Sequence, residues 1–592
     1  MTLSDGVEIA LNVRMPDGYV PGRRYPTIFE MSGYDGGSAA GGTLAEDFGL
    51  DGLPVVPTQD SRQLSEVFYG EYVTVHASVR GTGCSSGEFD IFSWRSALDG
   101  KEIIDGFIAS QPWSNGDVGI LGHSYGGITG FMVAATRPVH LRAATLSGLI
   151  DDLYRALVYP GGVTNYGFPL LWTGGIRPAY DVAGGLLPGI LRAQGADDPP
   201  DRQQRCAESI AGKSRTVLND PLVQGLQETD NDWYRARSLI TYADRIAVPI
   251  HVTGAHQDEQ TGPRGAAHLF ESVAGVPKRL ILTNGNHDTE STASYGLPEV
   301  RADRKAWMDH WMRGVQKGFG TLGQKRRTAT TFFEVHRDAQ DTLRPNGRKD
   351  GTGFQFPDTQ FTDWYLTGDG GLSKLLPFGL EPSRSYLSAT HRQLWSYQAG
   401  PTVGPPVTTM EGPDELTYRS LPLARAVTIA GPVTATLYVQ ALGIDTELFV
   451  ELIDEAPDGS VTYLQRGLLR ASHRAIDQAA SDRTPDGRIY RPHRPHTNPT
   501  PILPLATIEY LVEVWPVGHV FRPGHRIGVK LHAPPFVDSY YVYVPRSLPT
   551  LNTVLHGTAF PSRVMLPIVP TPALGAELPC GAQEAVRCVP PG

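Results

Sequence analysis

Cysteine is scarce in this chain, with four among 592 residues, and no block of lysine or arginine forms a basic stripe. Without such a stripe nothing can track a phosphate backbone, so nucleic acid is excluded as a partner. No apolar run reaches the roughly 18 residues that a membrane-spanning helix needs, and no membrane span is expected. The opening residues also lack a charged segment followed by an apolar one, the pattern of a secretory leader. Thr2 to Leu11 reads instead as a strand pair around an Asp5-Gly6 turn. Neither H-E-x-x-H nor a paired C-x-x-C occurs, which leaves no zinc signature; no metal and no cofactor are expected. His251 and His256, five apart at a strand end, read as packing or site-lining residues. No internal repeat shows a fixed period of roughly 20 to 50 residues.

What is present fits an ordinary soluble globular protein, since 40% of the residues are hydrophobic and 19% are charged. The length exceeds what one hydrophobic core supports, so two or three domains are expected. Cys580 and Cys588 sit eight apart in a Pro- and Gly-containing tail. A bridge there would imply an oxidising compartment and a leader already removed; unbridged thiols would imply the cytoplasm. Cys84 and Cys206 stand alone and read as small packing residues.

Strands and helices alternate in the first part of the chain, which points to a mostly parallel sheet with helices on its faces. Strands are expected at 25–31, 72–78, 118–121, 141–146, 249–254 and 279–283, and helices at 94–110, 124–135, 265–273 and 302–313. Between residues 148 and 242 this rhythm gives way to Pro- and Gly-interrupted segments and a polar helical stretch, 201–214. An insertion of that size in such a sheet is most economically a cap over the strand ends. From about residue 350 short alternating runs separated by turns, among them 426–429, 433–440, 447–453, 461–468, 507–513 and 526–531, carry the signature of an all-β sandwich. The expected domains are 1–147 and 243–350 for the two parts of an α/β domain, 148–242 for a helical cap, and 351–592 for the β-sandwich.

The motif with the most chemical content is Gly122-His123-Ser124-Tyr125-Gly126, set between an apolar strand and an apolar helix. Strand, elbow and helix form the context in which G-x-S-x-G holds a nucleophilic serine in a strained turn. Such a serine needs a base and an orienting acid, which in α/β-hydrolases follow in the order Ser, acid, His. His287 ends the strand at 279–283 through the turn Asn284-Gly285-Asn286 and fits the base. The strand ending at Gly254 runs into Ala255-His256-Gln257-Asp258-Glu259, where Asp258 is the preferred acid and Glu259 the alternative. Asp288, next in chain to His287, could not present its carboxylate to Nδ1 of that ring. The oxyanion would be held by the backbone N–H of Tyr125 and by a donor on an early loop, where Tyr34 offers a phenol; position alone leaves Tyr34 open between donor and ordinary loop residue. Arg80-Gly81-Thr82-Gly83-Cys84-Ser85-Ser86-Gly87 imitates a dinucleotide fingerprint, but Glu88-Phe89-Asp90 does not open a helix, so it reads as a structural turn.

Further segments carry a resemblance. They are Asp5-Gly6-Val7, Tyr34, Arg80-Gly81-Thr82-Gly83, Ser86-Gly87-Glu88-Phe89, Gln111-Pro112-Trp113-Ser114-Asn115-Gly116, the elbow with Gly127, Gly431-Pro432-Val433, and Leu468-Leu469-Arg470-Ala471-Ser472. With them the chain resembles the cocaine esterase and X-Pro dipeptidyl-peptidase (CocE/NonD) family of serine hydrolases over nearly its whole length. Two departures stand out: Ser32-Gly33 before Tyr34, where many relatives carry an Arg and a Pro, and a Gly254–Asp258 spacing one residue longer than the esterase pattern. The resemblance implies an α/β-hydrolase with an inserted helical cap and an all-β jelly-roll C-terminal domain, and a tyrosine hydroxyl, here that of Tyr34, completing the oxyanion hole.

The expected reaction is cleavage of a small-molecule ester, amide or short peptide through an acyl-enzyme, with esterase or acylase preferred on the resemblance. In an X-Pro dipeptidyl-peptidase a carboxylate must hold the substrate's free ammonium, and Asp151-Asp152 or Glu259 could supply it. A more distant alternative is a non-catalytic protein whose β-sandwich binds a carbohydrate or a surface.

Overall fold

The computed structural model describes residues 1–33, 64–167, 173, 204–206, 208–209, 227–291, 296–388, 413–538 and 541–590. Tyr34 and most of the helical stretch expected at 201–214 lie outside the described residues.

Nine strands form the first sheet: β1 (Leu11–Arg14), β2 (Tyr25–Ser32), β3 (Val73–Ser78), β4 (Ser114–His123), β5 (Leu141–Ser147), β6 (Ile250–Ala255), β7 (Lys278–Thr283), β8 (Arg327–Phe333) and β9 (Gly347–Gly351). Their order is β1-β3-β2-β4-β5-β6-β7-β8-β9. From β3 to β8 neighbours run parallel, while β1 and β9 close the two edges antiparallel. Strands β3, β6 and β7 are buried at every position, so both faces of the sheet are covered and even their polar residues, His76, His251, Lys278 and Arg279, are enclosed. The longer helices among the described residues are α1 (Trp94–Glu102), α2 (Tyr125–Ala135), α3 (Arg264–Ser272) and α4 (Pro298–Arg313). All eleven residues of α2 are buried, in keeping with its lack of charge.

Four differences from the sequence expectation have local causes. The helix expected over 94–110 is α-helical only to Glu102 and continues as a π-helical stretch, Ile103–Ile108, in which the Ala109 N–H reaches back five residues to Ile104. The helix expected to open at Ser124 begins one residue later, because Ser124 itself is the turn. α4 starts at Pro298, whose missing N–H costs nothing in a first turn. The runs 426–429 and 433–440 are one strand, fused across Gly431-Pro432 by a register shift that absorbs the proline.

That long strand belongs to a second, all-β sheet built from β10 (Gln360–Leu366), β11 (Glu415–Arg419), β12 (Val427–Ala441), β13 (Glu447–Glu455), β14 (Val461–Arg470), β15 (Ile508–Phe521), β16 (Arg526–His532), β17 (Thr550–Val554) and β18 (Arg563–Val569). The order β10-β18-β12-β15-β14-β13-β16-β11 is antiparallel throughout, β17 joins the end of β12, and a bridge from Gly371 to Arg419 brings the two ends together. The result is a nearly closed jelly-roll sheet around Leu437, Val450, Val512 and Val529.

The jelly-roll braces the C-terminal ends of the first sheet's parallel strands. Gln465 on β14 donates through Nε2 to the carbonyls of His256 (2.8 Å) and Pro516 (3.0 Å), and Asn284 donates to the carbonyl of Gly518 (3.2 Å). His256 packs in this seam, its Nδ1 3.2 Å from the Pro516 carbonyl, whereas His251 is pinned inside the sheet between Thr145 and Asp303.

Cys580 and Cys588 are bridged, and Cys588–Val589 pairs with the start of β14. Cys84 and Cys206 are not isolated packing residues: they form a second disulfide, 122 residues apart. It ties the Gly-rich turn after β3 to the segment expected to be the cap, a pairing that no spacing rule could show. In the loop-entropy account a closure of that length removes about 5 kcal/mol of unfolded-state freedom, against about 2.5 kcal/mol for the tail loop. Cys84→Ala/Cys206→Ala should therefore lower the apparent Tm several degrees more than Cys580→Ala/Cys588→Ala in a differential scanning experiment. Equal shifts would mean that the long bridge constrains little.

Candidate active site

Ser124 lies between the end of β4 and the start of α2 with φ 55° and ψ −125°, a conformation that costs a non-glycine residue about 1 to 3 kcal/mol and persists only when its surroundings enforce it. The enforcement is visible. The Ser124 N–H donates to the Ser147 carbonyl (3.0 Å), and the Ile128 N–H to the Ser124 carbonyl (2.9 Å). A Cβ at Gly122 would stand 2.2 Å from the Gly126 carbonyl oxygen, so only glycine lets the chain fold back here. Tyr125 opens α2, placing its backbone N–H in the first helical turn. Gly33, just after β2, lies beside it: the Cβ position there is 2.8 Å from the Tyr125 ring.

His287 is fully buried and sits across from this elbow. Its Nδ1 lies 2.9 Å from Oδ2 of Asp258, and its Nε2 makes no hydrogen bond. The Cβ position at Gly148, at the end of β5, lies 2.8 Å from both Cε1 of His287 and the backbone N of Ser124, so ring and elbow flank one strand end. Asp258 is itself held in place. Its Oδ1 accepts the N–H groups of Gln260 and Thr261 (both 2.8 Å), and its Oδ2 accepts the Thr261 hydroxyl (2.5 Å). Glu259 faces differently: its Oε2 accepts the backbone N–H of His287 (3.1 Å) rather than the ring. Gln257 and Gly285 exchange two hydrogen bonds, stitching the acid loop to the histidine loop.

The electrostatics follow from burial and this pairing. Burial opposes ionisation of Asp258, but the charge and hydrogen bond of His287 overcome it and hold the carboxyl well below its usual range. Burial likewise opposes charge on His287, and the Asp258 carboxylate outweighs it and lifts the imidazole above its ordinary value. Burial, and then the neighbouring Asp258 charge, push Glu259 up to about 7. His123, beside Ser124 in the motif, is driven well below its usual value by burial and then by His287; its Nδ1 is 2.8 Å from the Ser147 hydroxyl and its ring centroid 4.4 Å from that of His287.

Two residues sequence reasoning passed over belong here. Glu290, three beyond His287, is fully buried with a carboxyl oxygen within 4.8 Å of ligand atoms of Asp258 and His287. These three could in principle crowd a cation, but Nδ1 of His287 is already occupied by Asp258. Arg304 on α4 donates to the Glu290 carbonyl (2.7 Å) and the Thr253 hydroxyl, fixing the turn after His287. No motif marks either residue. Other expectations fall away from the site. Asp151 is buried against Arg264 and His268, and Asp152 pairs with Arg155 (2.8 Å), so neither carboxylate is unengaged. Arg80 binds Asp99 (2.6 Å) and Asp5 (2.9 Å), and its Gly-rich turn serves as a structural tie.

A strained serine between a parallel strand and a buried helix, facing a carboxylate-bound imidazole, defines the class of α/β-hydrolase serine hydrolases. Residues 5–289 match the X-Pro dipeptidyl-peptidase (S15 family) and residues 324–565 the X-Pro dipeptidyl-peptidase C-terminal non-catalytic domain. A protein of Mycobacterium bovis bearing the name serine esterase is 26% identical over 96% of this chain and 94% of its own, and the cocaine esterase of a Rhodococcus species 25% identical over 96% and 97%. The crystal structure of a CocE/NonD family hydrolase from Staphylococcus aureus superposes with a TM-score of 0.71 at 18% identity, covering 96% of this chain and 92% of that one. The chain belongs to the cocaine esterase and X-Pro dipeptidyl-peptidase family of α/β-hydrolase serine hydrolases.

Proposed function

We propose that the protein is an esterase or acylase in which Ser124 attacks the carbonyl, His287 takes and returns the proton, and Asp258 orients His287. Tyr34 and the Tyr125 N–H bind the oxyanion. The observation that carries this reading is the imidazole of His287, bound to Asp258 on one nitrogen and set across Gly148 from the Ser124 backbone. Relatives bearing esterase names span nearly the full length of the chain, and the acidic pair Asp151-Asp152 is engaged by Arg264, His268 and Arg155 rather than offered to a substrate ammonium. Both favour ester over dipeptide. The reading keeps 1–147 and 243–350 as the hydrolase domain, 148–242 as its cap and 351–592 as the jelly-roll. It also places the enzyme outside the cytoplasm, on the strength of two disulfides; among the described residues no helix is long and apolar enough to cross a membrane. A panel of p-nitrophenyl esters beside an X-Pro anilide tests the preference: ester turnover with an inert anilide supports it, and the reverse overturns it.

The pH dependence has a definite sign. Only neutral His287 can accept the serine proton, and because Asp258 raises its pKa, kcat/KM should fall as pH drops through a value above the ordinary 6.5 or so of histidine. Asp258→Asn should move that acid limb downward. Initial rates across the pH range check it, and a limb below the ordinary histidine value in the unmodified enzyme would contradict the pairing. Tyr34→Phe should lower kcat by about 10² with little change in KM, as for a donor used mainly in the transition state. An unaltered kcat would return Tyr34 to the status of a loop residue.

A further inference from the structure

Glu290 is an expensive residue to keep where it is. Its side chain is 0% exposed, and no side chain hydrogen-bonds its carboxyl oxygens, which have only the Gly148 backbone close by. An isolated buried carboxylate of this kind cannot persist in charged form, and two carboxyls in one pocket share a single charge. Asp258 carries that charge, and burial together with its field drives Glu290 well above the carboxylate range. The groups that face it are Asp258 on the loop after β6, His287 on its own loop, the Gly148 backbone at the end of β5 and Arg304 on α4. Its backbone carbonyl, held by Arg304 (2.7 Å) and the Thr253 hydroxyl (3.1 Å), explains the turn but not the choice of side chain. Alanine, leucine or glutamine would satisfy the turn equally well.

We propose that Glu290 is a reserve orienting acid for His287, a positioning residue that takes over Nδ1 when the carboxylate of Asp258 is lost. The inference rests on the assignment of His287 as base and Asp258 as its first partner. Three facts support it. A carboxyl oxygen already stands within 4.8 Å of an Asp258 oxygen and a His287 ring nitrogen, no other side chain hydrogen-bonds it, and a glutamate reaches one methylene further than an aspartate. Removing the Asp258 charge takes away one of the two influences that hold Glu290 neutral and leaves burial opposed by the nearby His287 and Arg304 charges: its proton leaves to solvent, and the resulting carboxylate can pair with the imidazolium as Asp258 did.

The test compares Asp258→Ala, Asp258→Ala/Glu290→Gln and Asp258→Ala/Glu259→Gln in the full-length enzyme with a p-nitrophenyl ester, each variant checked for folding by circular dichroism. Asp258→Ala should retain at least tenfold more kcat than the variant that also lacks Glu290, while adding Glu259→Gln should make little difference. Formate, a free carboxylate small enough to enter the vacated space, should rescue the Asp258→Ala/Glu290→Gln enzyme strongly and the Asp258→Ala enzyme weakly. Equal kcat and equal rescue in those two would overturn the proposal, as would a collapse caused by Glu259→Gln instead. Should the glutamine variant fail to fold, Glu290→Leu, matched to its buried surroundings, carries the same comparison. Undiminished activity in Asp258→Ala and in both double variants would be a different failure: it would remove Asp258 from the triad, and the reserve role with it.

Discussion

Ser124→Ala should abolish turnover, lowering kcat by at least about 10⁴-fold and leaving only the residue of catalysis that an oxyanion hole and substrate binding can give without a nucleophile. The structural reason is that nothing else at the elbow can attack. Tyr125 is in the first turn of α2, and His123 is buried against Ser147 with its ring held neutral. His287→Ala should cost a similar factor, and the pair of substitutions hardly more than either one, because serine and histidine act as a unit. Folding should survive. The strain at φ 55° is imposed by the Ser147 and Ile128 hydrogen bonds and by the glycines around the elbow, and alanine keeps all of those backbone contacts. Labelling with a fluorophosphonate gives the same answer independently: the parent enzyme should react and Ser124→Ala should not. Retention of more than about a tenth of the activity by Ser124→Ala, far above what oxyanion binding alone supplies, would put the nucleophile elsewhere and reopen the non-catalytic reading of the fold.

How much of this could be read from the chain differs by the kind of signal. The elbow was legible because its chemistry is local: the glycine at 122, the strand before it and the apolar helix after it are all within a dozen residues, and each is required by the turn. His287 was legible for a similar reason, as a strand-end residue in the right order. The strands expected at 25–31, 72–78, 141–146, 249–254 and 279–283 lie within a residue or two of β2, β3, β5, β6 and β7. β8 and β9 were not expected, and β4 extends in both directions from 118–121 because Ser114 pairs with Tyr25 ahead of a register shift and Gly122 and His123 pair with the end of β5. What escaped was set by contacts between distant segments. Nothing in the spacing joins Cys84 to Cys206, and a proline at 432 looked like the end of a strand although a bulge carries β12 through it. Glu290 escaped because a buried, unpartnered carboxyl is invisible in sequence; it looks like any acidic residue in a loop.

The choice between Asp258 and Glu259 illustrates the same limit and leads to a large effect. Adjacent carboxylates of similar reach at one strand end cannot be separated by pattern, but their side chains leave the backbone in different directions. Asp258 turns inward, where two backbone N–H groups and the Thr261 hydroxyl fix its oxygens before one of them meets Nδ1 of His287 at 2.9 Å. Glu259 turns to the backbone of the same histidine and holds the loop rather than the ring. Asp258→Asn should therefore lower kcat by about 10³ to 10⁴, since the amide presents a donor where an acceptor is needed and favours the wrong imidazole tautomer. Glu259→Gln should cost far less, because an amide oxygen can still accept the His287 N–H. Any loss there should appear as reduced thermal stability of the histidine loop as well as reduced rate. Steady-state kinetics on the two variants at a pH well above the acid limb separates orientation from protonation. A larger loss for Glu259→Gln than for Asp258→Asn would move the orienting role one residue along the chain and require His287 to turn its Nδ1 away from the partner it holds in this structure.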